Sequence, residues 1–172
     1  MAKRKKGRAA KQGSIPVLVI RQFIDTEMSL RETMSVQAIA LGFATPAHYH
    51  TLLDMHGVLL IASKIKPIGT ENIRHYANTI LGVILHNIKL RYDRTGTLGC
   101  AGQELTELKR FPSIYRDFWA AQPIELYKQS FDVLEAYYNK VISAEDAGLI
   151  SPHEAAPFLQ DIPMTKEQLT ER

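Results

Sequence analysis

Five of the six histidines, His48, His50, His56, His75 and His86, fall within two neighbouring stretches of helical periodicity. Imidazoles at that density are the first candidates for chemistry, because a metal site needs several ligands converging on one point. Their spacing works against it. His48 and His50 are two residues apart and point to nearly opposite sides of a helix. His75 and His86 share a face, but at 1.5 Å per residue they stand about 16 Å apart. Only a pair formed across two helices would remain, so the expectation is histidines at helix surfaces or hydrogen-bonded in a core, and no metal.

The acids Glu27, Glu32, Asp54, Asp93 and Glu104 have no spacing tied to a known acid–base reaction. Each reads as a cap or a solvated side chain, and Asp93, between Arg91 and Arg94, as a local ion-pair partner. Cys100, the one cysteine, sits between Gly99 and Ala101 with no histidine near it in sequence, so it reads as a small packing residue and not as a nucleophile. No catalytic residue and no cofactor follow from these groups.

The strongest chemical bias lies in the cations. Lys3, Arg4, Lys5, Lys6, Arg8, Lys11 and Arg21 precede Asp25 with no acid among them, which leaves 14 of the 21 basic groups against all 18 acids in the rest of the chain. The formal net charge of +3 conceals this segregation. Flexible cations interleaved with Gly7, Ala9 and Ala10 suit contacts to phosphates, where released counter-ions drive binding and no base is read. The expected partner is therefore nucleic acid, bound non-specifically through Lys3, Arg4, Lys5, Lys6, Arg8 and Lys11, with Arg91 and Arg94 adding to that surface. The rival expectation is a non-enzymatic protein-interaction module, an inhibitor of a host system or a subunit of a larger complex, acting through the acidic remainder. A protein partner or a homo-oligomer would then use Tyr115, Phe118 and Trp119, although Phe118 and Trp119 read first as closing the core.

The elements that must position these groups are helical. Residues 1–14 hold too little apolar surface to offset the entropy of ordering, and read as a basic disordered arm. Ile15-Pro-Val-Leu-Val-Ile20 is a short extended segment in which Pro16 removes a donor. From about Thr26 a helix is expected, with Leu30, Met34, Ala38 and Leu41 as its inner face and Gly42 as a left-handed C-cap. Thr45 and Pro46 are an N-cap and first-turn pair for a second, largely buried helix reaching about Lys64. Lys66-Pro-Ile-Gly69 breaks the chain, and Thr70 caps a third helix from Glu71 to about Asp93. Gly57 and Gly82, each near the middle of its helix, suggest that the two cross there.

After the Arg94–Gly99 loop, Gln103–Arg110 and Ser113–Ala121 are expected as separate short helices divided by Pro112. Pro123 opens a last strong helix to about Ser143, with Leu126, Phe131, Leu134, Tyr138 and Val141 on its buried face. Capping boxes, Ser151 with Glu154 and Thr165 with Gln168, punctuate a proline-broken tail over 151–172. The sum is an all-α fold, a single compact bundle of about five helices over 15–150. A helix-turn-helix around Gly42 fails, because Gln37, His48 and Thr51 occupy positions that need apolar packing. The lone cysteine and the lack of a secretory leader point to a reducing, cytoplasmic setting. The longest apolar run, Val58–Ala62, is far short of the ~20 residues that span a membrane.

The Met1-Ala-Lys-Arg-Lys-Lys opening, the Ala47-His-Tyr-His-Thr-Leu-Leu helix start, and the Leu90-Arg-Tyr-Asp-Arg-Thr-Gly-Thr-Leu-Gly99 loop followed by Glu104, Leu105 and Leu108 resemble a loose set of short accessory proteins of bacterial phages, prophages and plasmids. The resemblance covers about residues 1–140 and implies a mobile-element setting. It carries no activity over to this chain.

Overall fold

Thr45 and Pro46 begin the helix around which the others pack. In the computed structural model, which describes residues 29–149, Pro46–Ile65 forms α2, and its side chains are buried nearly all the way round from Tyr49 to Ser63. Its N-terminus is closed by a reciprocal cap. The imidazole Nδ1 of His48 accepts from the Thr45 N–H at 3.1 Å and stands 2.9 Å from the Thr45 hydroxyl, doing the work usually given to a glutamate three residues into a helix.

Four elements surround α2. Helix α1, Ser29–Leu41, packs on α2 and on α4, Gly102–Ala120. Helix α3 is a rod over 71–95 built from Glu71–Tyr76, a π turn at Ala77–Leu81, and Gly82–Thr95. Helix α5, Ile124–Tyr138, runs antiparallel to α2, with the Tyr138 hydroxyl donating to Asp54 at 2.6 Å and Leu134 against Gly57. A last short helix, α6, spans Ala144–Ala147; its Glu145 and Asp146 carbonyls accept from the Lys64 ammonium. The described residues contain six helices and no strand, an all-α bundle as expected. The arm over 1–14, the segment over 15–20, and the tail with its two capping boxes lie outside the described residues.

Several expectations are corrected. The residues 102–120 form one helix through Pro112. Leu108, Phe111, Tyr115 and Trp119 recur at spacings of three and four on its buried face, and burying that stripe outweighs the one backbone bond the proline removes. The two glycines do not mark a helix crossing of α2 with α3. A Cβ at Gly57 would stand 3.2 Å from Leu134 and from Leu149, so this glycine admits α5 and the chain after α6. Helix α5 stops at Asn139, because Lys140 adopts a left-handed φ of 58° and turns the chain toward α6. Val141 is consequently exposed, Phe131 lies at the surface, and Ser130 takes the buried place between Leu126 and Leu134. The Thr70 hydroxyl does not cap α3. It turns back to donate to the Lys66 carbonyl at 2.5 Å and closes the loop.

The face of α1 is the largest correction. The predicted inner residues Leu30, Met34 and Leu41 are exposed, while Glu32, Ser35, Val36, Ala38 and Ile39 are buried. Gly42 does end the helix with a left-handed φ of 78°.

Replacing Pro112 by Ala returns an N–H within reach of the Leu108 carbonyl. The variant is expected to gain about 1–3 kcal/mol in urea unfolding, and an unchanged or lower midpoint would show that α4 depends on its proline.

Candidate functional site

The sequence-predicted cations Lys3, Arg4, Lys5, Lys6, Arg8 and Lys11 lie outside the described residues. Of the two others, Arg91 is committed to the fold. Its guanidinium donates to the Glu104 carboxylate at 2.8 Å and to the Gly99 carbonyl. Asn87 donates to the other Glu104 oxygen at 2.8 Å, and the Ala101 N–H lies 3.4 Å from the first. Burial alone would raise the Glu104 carboxyl, but these donors outweigh it and hold the group below its ordinary range. The loop after α3 is therefore a tied element, with Leu98 buried beneath it.

Arg94, a few residues on, is exposed and forms no ion pair among the described residues. Asp93 does not pair with either flanking arginine. It accepts from Lys89 at 2.6 Å, since residues four apart share a helix face and adjacent ones do not.

Cys100 is half-buried in the same loop. Burial, with the Glu104 charge adding and Arg91 opposing, pushes its thiol up to about 12, so the thiolate needed for nucleophilic attack is suppressed at neutral pH. Three of the histidines have evident places. His48 caps α2, His75 is exposed, and His56 is fully buried with its Nε2–H donating to the Ala77 carbonyl at 3.0 Å. Among the described residues, no group of three or more histidine, cysteine or acidic side chains is arranged to hold a metal ion. Nor is any helix there long and apolar enough to cross a membrane.

What spacing did not disclose is a polar cluster inside the bundle. Glu32 is buried where α1 meets α4, and burial lifts its carboxyl to about 8. Tyr115 of α4 and Tyr127 of α5 sit within reach of its charge. Burial pushes both phenols well above their ordinary value, helped at Tyr115 by Tyr127 and then Glu32, and at Tyr127 by Glu32. Trp119 stands edge-on to both rings, at 6.0 Å from Tyr115 and 4.8 Å from Tyr127. The Tyr115 hydroxyl is directed at Trp119 and Tyr127 without reaching hydrogen-bond geometry with either. Glu32, Ser35, Val36 and Ile39 are spaced as one helix face, but two of the four are polar. A search for apolar residues alone selects the opposite side.

No protein-family model, curated protein or solved structure matches the chain.

Glu32 and His56 set opposite pH limits on stability. The unfolded chain ionises Glu32 above 4.5 while the folded one keeps the proton to about 8, so stability drains away as pH rises between those values. Below 6.5 the unfolded chain protonates His56 while the folded one refuses the proton until about 4, so stability is lost as pH falls through that window. The Glu32→Gln variant is expected to melt well above the parent at pH 8, with the gap shrinking steadily toward pH 4.5. A gap that stays constant with pH, measured by thermal denaturation, would remove Glu32 from this role.

Proposed function

We infer that this chain is a non-enzymatic accessory protein that contacts nucleic acid electrostatically through its N-terminal cations. The observation that carries this reading is their segregation: seven basic residues stand before Asp25 without an acid, whereas residues 29–149 hold twelve basic and twelve acidic side chains. A neutral body neither repels a phosphate polymer nor competes with the arm for it. The resemblance to accessory proteins of phages, prophages and plasmids favours a mobile element as the setting, and the single cysteine, its thiol unreactive, suits a reducing cytoplasm. The rival reading, an interaction module working through an acidic body, draws on an excess that resides in 25–28 and 150–172 and not in the described helices.

Within this reading the cations divide into two kinds. Those of the arm contact phosphates and the exposed Arg94 adds to them, while Arg91 is engaged in tying down the loop that follows α3. Converting Lys3, Arg4, Lys5, Lys6, Arg8 and Lys11 to Gln is expected to weaken duplex DNA binding. It should also flatten the slope of log affinity against log salt by about five. Arg94→Gln should change that slope by about one and leave folding alone, whereas Arg91→Gln should chiefly lower the unfolding midpoint. Fluorescence anisotropy across a salt series reads both. An arm variant that binds with the parent's slope ends the proposal.

A further inference from the structure

Helix α1 is docked with its polar side inward. It buries Glu32 and Ser35 and leaves Leu30 at 61 %, Met34 at 55 % and Leu41 at 70 % exposure, with Phe43 at 61 % just beyond its end. Leu30, Met34 and Leu41 follow one another at spacings of four and seven, so they form a single ridge along the helix. An apolar ridge of this kind on a small domain is often a working surface.

We propose that the outer ridge of α1 is the docking surface for residues 15–24 of the same chain. Three observations select this occupant. The ten residues include Ile15, Val17, Leu18, Val19, Ile20, Phe23 and Ile24, the densest apolar stretch outside the described helices. They end five residues before Ser29, where α1 begins, so a short reversal over 25–28 brings them alongside it. Ten extended residues reach ~33 Å, more than the ~20 Å length of a 13-residue helix.

A second copy of the chain is less well suited. Leu30, Met34, Leu41 and Phe43 are four side chains, far fewer than the roughly 20–30 residues a side of a stable interface. A tethered segment needs no such area, because it is held at high effective concentration by its own linkage. The C-terminal residues are also less suited. They leave from Leu149, which packs beside Leu134 on the side of α2 facing α5, and they are interrupted by Pro152, Pro157 and Pro163. The consequence reaches beyond the phosphate-binding reading: the cations over 3–11 would be anchored to the body by the segment that follows them.

The test is a thermodynamic cycle in the full chain. Variant one replaces Val17, Leu18, Val19 and Ile20 by Ser; variant two carries Met34→Ser and Leu41→Ser; the third combines them. Urea unfolding followed by Trp119 fluorescence gives the equilibrium constants, and light scattering gives the mass. Each set should favour unfolding, and the combination should fall short of the product of the two effects by at least about threefold, as residues in contact do, in a protein of one-chain mass. Effects that multiply fully would overturn the proposal. So would the same shortfall with Phe158→Ser in place of the first set, or a parent of two-chain mass that variant two halves.

Discussion

A helix buried around most of its circumference must find partners inside the protein for its polar side chains. Helix α2 carries two such side chains toward α3. The Tyr49 hydroxyl donates to the Leu85 carbonyl at 3.0 Å and the His56 Nε2–H to the Ala77 carbonyl at 3.0 Å. Seven residues separate the donors and eight the acceptors, running in opposite directions, so the two bonds together fix the antiparallel register of α2 on α3. Leaving either donor unmet in the dry interior would cost about 1–3 kcal/mol, whereas sliding the helices by a residue would break both.

The acceptor at Ala77 is available because of how α3 is wound there. Ala77 opens the π turn, and its carbonyl accepts from the Gly82 N–H five residues on while its second lone pair takes the imidazole. The same geometry keeps His56 neutral. Burial pulls its pKa to about 4 against the smaller upward pull of the Ala77 bond, so the ring is a fixed donor across the physiological range and not a proton switch.

Helix α1 answers a different demand. It packs on both α2 and α4, and small or slender side chains at Ser35, Ala38 and Val36 suit that two-sided contact better than Leu30, Met34 and Leu41. Ser35 is satisfied within its own helix, donating to the Arg31 carbonyl at 2.9 Å. Glu32 is accommodated by keeping its proton, among aromatic groups and with no cation in ion-pair reach among the described residues. Such a face is illegible to a rule that looks for apolar spacing, because the rule assumes that the helix touches one neighbour and that its largest apolar side chains fill the contact. Local chemistry fared better. Gly42 and the Thr45–Pro46 pair mark helix ends through backbone conformation alone, and they sit where the sequence places them. Pro112 and Gly57 show the limit: the local property was right in both, but whether a stripe overrides a proline, or which helix fills the space at a glycine, is decided by partners distant in the chain.

The same distinction governs the cations. Arg91 and Arg94 look alike in sequence, three residues apart at the end of one helix. Arg91 meets Glu104, whose carboxylate also draws Asn87 and the Ala101 N–H, and each bond it makes lowers the free energy of the folded loop. A charge so engaged has little left for a phosphate, since binding one would first cost the interactions it already has. Arg94 has no such ion pair among the described residues. With twelve charges of each sign over 29–149, the described body has no net charge with which to gather a polyanion. On the proposed reading, attraction at a distance then rests on the leading cations.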